Sequence, residues 1–134
     1  MSTVTYFSDK SSSVGGIKSG VFKKEELIDF TLNPCLSGDV VECINVDAGD
    51  IILSAGLKVI TGETGTVEFG YGTDPDYFVT SQSVATSGTV VANGASVTAD
   101  SLAFTASDTL DLVLGADLDT AKVSVYAIIA KLEN

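Results

Sequence analysis

The chain contains no histidine, arginine or tryptophan, and it has only two cysteines, two prolines and seven cations, all of them lysine. Nucleophilic systems of the Ser-His or Cys-His type therefore cannot be built. No P-loop or G-x-G-x-x-G pattern is present to hold a phosphate. These absences predict a protein that is not an enzyme and that binds no cofactor.

The two cysteines give no sign of a metal site or a disulfide. Cys35 and Cys43 lie eight residues apart, with no histidine to complete a zinc site. A disulfide between them would require an oxidising compartment. Both are predicted to be buried thiols, and no metal is expected.

Charge and hydropathy exclude two classes of partner. Eighteen acidic residues against seven lysines give a net charge of −11, which predicts no binding to nucleic acid or to anionic membranes. The mean hydropathy is high, at +0.35, but the apolar runs are too short to span a bilayer. The first 13 residues lack the pattern of a secretory signal, so synthesis in a cytoplasm is expected.

Alternation of apolar and polar residues predicts an all-β protein. Between Asp39 and Phe78 three extended segments are joined by turns rich in Gly and Asp. In the middle segment one face is predicted to carry Ile51, Leu53, Ala55, Leu57 and Val59. With the later segments, including Lys122–Lys131 and a hairpin turn at Asn93–Gly94, the pattern indicates an antiparallel β-sandwich or barrel of eight or nine strands. A short helix over Phe22–Phe30 is the weaker alternative.

The first 25 residues differ from the rest of the chain. They are rich in Ser and Gly, show no sustained periodicity and hold four of the seven lysines. We assign residues 1–25 to an N-terminal arm and 26–134 to the sandwich domain. Composition allows two interpretations of the arm: a disordered tail or linker, or a segment that becomes ordered against a partner.

Two predicted strands carry apolar residues on both faces, whereas a sandwich needs only one. The residues on the second face are Ile52, Ile60, Tyr126 and Ile128. A loop or the arm could cover them, or they could form a subunit interface. The two alternatives are compatible.

The segment from Gly70 to Phe78 has two interpretations. Asp74 and Asp76 are spaced like the donors of a calcium loop, but a calcium site needs six to eight oxygens. Aspartate followed by Pro75 is also typical of a turn, with the aromatic residues after it returning to the core. The turn is the favoured interpretation.

Several turn and core motifs follow one another along the chain: Asp47–Gly49, Ala55–Val59, Thr61–Thr66, Gly70–Phe78, Ser107–Leu112 and Val123–Ala127. Their order resembles that of the capsid decoration (cement) proteins of tailed bacteriophages. The chain departs from the pattern at Asp47, where proline is usual, and at Tyr77, where glycine is usual. These are turn and core motifs without catalytic residues.

This resemblance implies a jelly-roll-like protein on the outer surface of a phage head, made in the host cytoplasm. It implies a homotrimer that stabilises the capsid by bridging neighbouring major capsid subunits. Cations and aromatics of the arm are the candidates for contact with the capsid: Tyr6, Phe7, Lys10, Lys18, Phe22, Lys23 and Lys24.

The alternative is a head fibre or tail structural protein that binds a receptor or a glycan. Glycan sites usually stack sugars on exposed aromatic rings. The chain has no tryptophan, and Tyr71 and Tyr77 near one loop are its candidates.

Overall fold

The computed structural model describes residues 3–5, 20–92 and 102–131, and it is all-β, as predicted. No helix is found in these ranges, and Phe22–Phe30 lies largely in a strand. The strands are β1 (Thr3–Thr5), β2 (Gly20–Asp29), β3 (Val40–Val46), β4 (Asp50–Thr61), β5 (Thr66–Tyr71), β6 (Asp74–Ser83), β7 (Val90–Ala92), β8 (Leu102–Ala103), β9 (Asp108–Leu114) and β10 (Lys122–Lys131). The hairpin predicted at Asn93–Gly94 and the side chains of Tyr6, Phe7, Lys10 and Lys18 lie outside the described residues.

The strands form two sheets with jelly-roll connectivity. Sheet A has the order β1-β3-β9-β5-β6, and sheet B has the order β2-β10-β4-β7, with β8 also on β4. Apart from β1 and β8, the strands form nested pairs, in which the first strand pairs with the last, the second with the second last, and so on. These pairs are β2 with β10, β3 with β9, β4 with β7, and β5 with β6. Nested antiparallel pairing of eight strands across two sheets is the jelly-roll arrangement. The β1–β3 pair is parallel.

The core lies between the two sheets. In β9 and β10 its residues occupy alternate positions, as the sequence predicts. Leu110, Leu112 and Leu114 of β9 face Val123, Val125, Ala127 and Ile129 of β10, and all are buried. Cys35 and Cys43 are free and buried, and burial raises the pKa of both thiols. A thiol that stays protonated is a poor nucleophile and a poor metal ligand, so these cysteines act as small apolar core residues.

A β-bulge in β4 reverses the face predicted for part of that strand. Ile128 of β10 pairs with Ser54, but the next residue pairs with Ile52, so Leu53 is an extra residue on β4. Ile52 is consequently fully buried in the core with Ala55, whereas Ile51 and Leu53 are half-buried. The prediction that Ile52 lies on the second face of the strand is wrong, because strict alternation ignores the extra residue.

Strand β2 begins inside the range assigned to the arm. It pairs with β10 along its full length, from Gly20 opposite Lys131 to Asp29 opposite Lys122. Phe22 is half-buried and packs against the core. Two of the candidates for capsid contact, Phe22 and Lys24, therefore belong to the core side of sheet B, and Lys24 is corrected from a surface residue to a buried one.

A buried group of charges closes the end of sheet B where β2 begins and β10 ends. The Nζ atom of Lys131 donates to Asp50 Oδ1 at 2.6 Å and to Asp47 Oδ2 at 3.1 Å, and Asp50 is fully buried. Although burial opposes it, these hydrogen bonds raise the pKa of Lys131. Lys24 donates to the backbone oxygen of Asn45 at 2.8 Å, and burial lowers the pKa of Lys24. Three segments distant in sequence are joined here: β2, the chain from the end of β3 to the start of β4, and the end of β10.

A single carboxylate holds the loop between β9 and β10. Glu63, in the β4–β5 turn, accepts hydrogen bonds at Oε1 from the backbone N–H groups of Asp119, Thr120 and Ala121, at 2.9 to 3.0 Å. Burial opposes ionisation of Glu63, but these three donors outweigh it and lower the pKa of this carboxyl group. The turn motif over Thr61–Thr66 thus has a structural role.

Candidate functional site

The two sheets carry different charges. The strands of sheet A hold six acidic residues and no lysine, namely Glu42, Glu68, Asp74, Asp76, Asp108 and Asp111. The strands of sheet B hold five lysines and four acidic residues. The negative charge is therefore concentrated on one side of the sandwich, and sheet B is close to neutral.

Sheet B presents a mixed, largely apolar surface on the side away from the core. We call this surface the outer face of sheet B, and register and alternation define it. Its members on the outer strands are Val21, Lys23, Glu25, Leu27, Val90 and Ala92; on β10 they are Ser124, Tyr126, Ile128 and Ala130; and on β4 they are Ile51, Ser54, Gly56, Lys58 and Ile60.

Most of the exposed large apolar side chains in the described residues lie on this face. Val21, Leu27, Ile60 and Val90 are 44% to 65% exposed, and the other two, Leu32 and Leu36, lie in the connection between β2 and β3. Tyr126 and Ile128 are half-buried beside them. The structure thus brings together three of the four predicted interface residues, Ile60, Tyr126 and Ile128, whereas Ile52 is in the core.

Gly56 allows the ring of Tyr126 to lie against the sheet. A Cβ atom at position 56 would come within 2.9 Å of Tyr126 Cε1 and would clash with the backbone oxygen of Val91. Gly56 and Tyr126 are register partners on neighbouring strands, so the missing side chain leaves the space that the aromatic ring fills. The Ala55–Val59 motif therefore flattens the centre of the outer face of sheet B.

The charges at the margin of this face form pairs. Lys23 Nζ lies 3.6 Å from Glu25 Oε2, and Lys122 Nζ lies 4.0 Å from Asp29 Oδ2. Lys58 is exposed in the row that also contains Leu27 and Val90, and it forms no ion pair with the described residues. An isolated cation within an apolar surface favours contact with an acidic partner.

The outer face of sheet A carries acidic residues at paired positions on neighbouring strands. Asp111 is paired across the strands with Glu42 and Gly70 and is only 8% exposed. The hydroxyl of Thr109 donates to Asp111 Oδ1 at 2.6 Å. Burial raises the pKa of Asp111 to about 6, and the charges of Glu42 and Asp108 add to the increase.

This raised pKa predicts a pH dependence of stability. Because an unfolded aspartate titrates near pH ~4, the folded protein retains a proton that the unfolded chain has lost between about pH 4 and pH 6. Stability due to Asp111 therefore falls as the pH rises through this window. Asp111→Asn should remove this slope and raise stability at pH 7.5 by ~1–2 kcal/mol. Urea denaturation at several pH values measures both effects.

Glu68→Gln, on the same face, is the control. It should keep the wild-type dependence of unfolding free energy on pH between pH 4 and 6, because Asp111 is unchanged. If Asp111→Asn leaves the dependence of unfolding free energy on pH unchanged between pH 4 and 6, the buried carboxylate is not its source.

The hairpin between β5 and β6 contains the predicted loop residues. Tyr71 pairs with Asp74, so the turn is at Gly72–Thr73, and the predicted Asp-Pro turn is wrong by two residues. Pro75 lies in β6, an edge strand of sheet A, where its missing N–H costs no ladder hydrogen bond. A side-chain hydrogen bond with Asp76 raises the pKa of Asp74.

The aromatic residues of this hairpin pack on one another. The ring centroids of Tyr71 and Tyr77 are 5.7 Å apart, and those of Tyr71 and Phe104 are 5.5 Å apart, both edge to face. Both tyrosines are half-buried and pack against the core. A cleft of about 200 Å³ beside Tyr71 and Phe104 is smaller than typical ligand pockets. These contacts favour a packing role for the tyrosines.

Neither a group of metal ligands nor a membrane-spanning helix is found in the described ranges. No group of three or more His, Cys, Asp or Glu side chains in residues 3–5, 20–92 and 102–131 is placed to hold a metal ion. Within the same residues, no helix could cross a membrane. The exposed apolar side chains on the outer face of sheet B make it the candidate surface for contact with a partner.

The sequence predicted only part of this face. Val21, Leu27 and Val90 were not identified from the sequence. For β2 a signal was present, since Val21, Lys23, Glu25 and Leu27 alternate with Phe22, Lys24, Glu26 and Ile28 once the segment is read as a strand. Lys23 is the one arm candidate that the structure describes on the surface.

Comparison with known proteins gives likeness of structure only. No family model matches the chain, and no curated protein matches it. A chain from the capsid of Ralstonia phage GP4 aligns with a TM-score of 0.66 and 16% identity, over 86% of each chain. A chain from the acidic stable capsid structure of Helicobacter pylori bacteriophage KHP30 has a TM-score of 0.62 and 14% identity, over 85% of this chain and 90% of that one.

A chain from the capsid asymmetric unit of cyanophage Pam1 aligns with a TM-score of 0.60 and 16% identity, over 86% of this chain and 87% of that one. At these identities the comparison establishes a shared fold. In each case the likeness extends over most of both chains, so it concerns the whole sandwich.

Proposed function

We propose that the chain is a non-enzymatic structural protein of a phage virion. The observation that carries this proposal is the likeness of the whole sandwich to chains from three phage capsids, over at least 85% of each partner. Jelly rolls are common in viral capsid proteins, although one fold serves many functions. The order of the turn and core motifs, which resembles that of capsid decoration proteins, supports the same role.

In the proposed role the protein binds the outer surface of the head as a homotrimer and bridges neighbouring major capsid subunits. The acidic strands of sheet A suit a surface in contact with solvent, since net charge keeps exposed surfaces soluble. The apolar outer face of sheet B suits a contact between subunits. The arm supplies the contacts with the shell, and its candidates are Tyr6, Phe7, Lys10, Lys18 and Lys23.

Binding to heads tests this proposal. Heads assembled without the protein are mixed with the full chain, with a chain lacking residues 2–19, and with a chain in which 2–19 are replaced by a Gly/Ser segment of equal length. This truncation leaves β2 intact, because β2 begins at Gly20, but it removes β1 from the edge of sheet A, so circular dichroism checks that both altered chains keep the fold. The full chain should bind stoichiometrically and raise the temperature at which heads rupture, and both altered chains should bind at least ~10-fold more weakly.

Cryo-electron microscopy of the saturated heads then locates the bound protein. Failure of the full chain to bind would overturn the decoration role. Equal binding by the Gly/Ser chain would show that the arm does not make the contact.

A further inference from the structure

We infer that the loop end of the sandwich is a second contact surface for the phage shell, and that it binds an apolar pocket bordered by lysine or arginine side chains on a major capsid subunit. The loop end consists of the four connections at one end of the two sheets, namely residues 30–39, 62–65, 84–89 and 115–121. The inference deepens the proposed function and rests on it for the identity of the partner. It assigns the surface that would allow one chain to bridge two subunits.

The connection between β2 and β3 carries the exposed apolar side chains of the loop end. Leu32 is 73% exposed, the highest value among the exposed large apolar residues of the described chain, and Leu36 is 63% exposed. Pro34 lies between them and is also exposed. Neither leucine belongs to the core, so burying them against a partner would be favourable. Exposed apolar side chains grouped on one loop are typical of a surface that binds another protein.

Hydrogen bonds between the connections hold this loop in place. Cys35 and Leu118 exchange two backbone hydrogen bonds, at 3.0 and 2.9 Å, and the N–H of Ser37 donates to Asp117 Oδ1 at 2.8 Å. Glu63 joins the β9–β10 connection to the β4–β5 connection, which in turn bonds to the β6–β7 connection. Because the surface is already ordered, binding costs it little conformational entropy.

The charge of the loop end defines the partner. Its connections contain four acidic residues and no lysine, and the acids are Asp39, Glu63, Asp117 and Asp119. Asp117 and Asp119 are exposed, and a hydrogen bond to the Glu63 side chain raises the pKa of Asp119, so two carboxyl groups lie close together here. Lysine or arginine at the rim of an apolar pocket would neutralise this charge and orient the contact. Contact between two loop ends would bring carboxylates together with no cation on either side.

The position of the loop end suits it to bridging. Residues 6–19, which carry most of the arm candidates, join β2 at Gly20, and Gly20 pairs with Lys131 at the far end of sheet B. The loop end begins after Asp29, which pairs with Lys122. The ten residues of β2 connect the two ends, over a distance of roughly 30 Å. One chain therefore has two separate contact regions, which is what bridging of two subunits by a single chain requires.

The first experiment measures head binding and head stability separately. Heads assembled without the protein are saturated with the wild-type chain, with Leu32→Ser combined with Leu36→Ser, or with Leu32→Met combined with Leu36→Met. The serine variant should bind ~10-fold more weakly, because only the arm contact remains. At saturation it should no longer raise the temperature at which heads rupture. The methionine variant keeps the apolar surface and should behave as the wild type does.

The second experiment tests the charge independently of the leucines. Asp117→Asn combined with Asp119→Asn removes two charges but keeps an oxygen acceptor for the N–H of Ser37. This variant should bind heads more weakly than the wild type at about 50 mM NaCl, and the difference should shrink at about 300 mM, because salt screens the contact. Circular dichroism and thermal unfolding check that every variant keeps the fold.

Equal protection of heads by the serine and methionine variants would overturn the inference and leave the decoration role standing. A difference between the wild type and the asparagine variant that does not change with salt would overturn the basic border of the pocket. In cryo-electron microscopy of saturated heads, the loop end should contact a different subunit from the arm, and a loop end surrounded by solvent would contradict the inference. Failure of the wild-type chain to bind heads would overturn the decoration role, and the inference with it.

Discussion

Replacing Lys131 with methionine is expected to destabilise the fold by ~3–5 kcal/mol, because it leaves a buried carboxylate without its cation. The Lys131 side chain is 15% exposed and its amine lies 2.6 Å from the fully buried Asp50. Methionine preserves most of the length and apolar volume of lysine, so the loss reports on charge rather than on packing. Urea denaturation at neutral pH gives the change in unfolding free energy.

Lys23→Met is the matched control on the opposite side of the same sheet. Its ion pair with Glu25 joins side chains that are more than half exposed, and such pairs contribute less than ~1 kcal/mol. The double variant Asp50→Asn, Lys131→Met removes both charges and should recover part of the loss. Equal effects of Lys131→Met and Lys23→Met would show that the buried group of charges does not stabilise this end of the sandwich.

Gly70→Ala is expected to cost about 3 kcal/mol, near the upper end for insertion of one carbon into a packed site. A Cβ atom there would lie 2.5 Å from the carbonyl carbon of Pro75 and would clash with the backbone oxygen of Asp74. The neighbours are backbone atoms of β6, so they cannot rotate away as a side chain would. The expected result is a lower unfolding midpoint and loss of β5–β6 amide protection in hydrogen exchange.

Gly72→Ala provides a control two residues away in the same hairpin. A Cβ atom at position 72 would meet no atom closer than the carboxylate of Asp108, at 3.9 Å. The unfolding free energy should change by less than ~0.5 kcal/mol. If Gly70→Ala is tolerated as well as Gly72→Ala, β6 does not lie as close to β5 as the structure places it.

The sequence was sufficient where alternation continued without interruption. The faces of β9 and β10 follow directly from Leu110, Leu112 and Leu114 and from the valines of Lys122–Lys131. Alternation failed at Ile52, because one extra residue in β4 moves every earlier side chain to the other face. A bulge is determined by pairing with β10, and pairing is not encoded within the strand itself.

Lys24 shows a second limit of the sequence. In the run from Lys23 to Glu26 it has the composition of a solvated segment, yet it is buried beside charges from two other segments. Asp47, Asp50 and Lys131 are far from it along the chain, so only the folded topology reveals the environment that makes burial of Lys24 possible.

The outer face of sheet B could not be predicted fully either, because its composition depends on the order of the strands in the sheet. Exposure of Leu27 and Val90 could be predicted only after their strands were placed at the edges of one sheet. The separation of charge between the sheets has the same origin, since each sheet combines strands from distant parts of the sequence, such as β3 with β9 in sheet A and β2 with β10 in sheet B. From the sequence, the same charges gave only an acidic body and a basic arm.

The pairing of β2 with β10 also determines when this protein can fold during synthesis. Each residue of β2 pairs with a residue of β10 that lies about a hundred positions later in the sequence. The most distant pair is Gly20 with Lys131. A ribosome must therefore release the chain through Lys131 before sheet B can close, and until then the apolar strands of the sandwich are not fully buried. Because the strand pairs are nested, the two sheets are expected to form together, late in synthesis, and not strand by strand as the chain emerges.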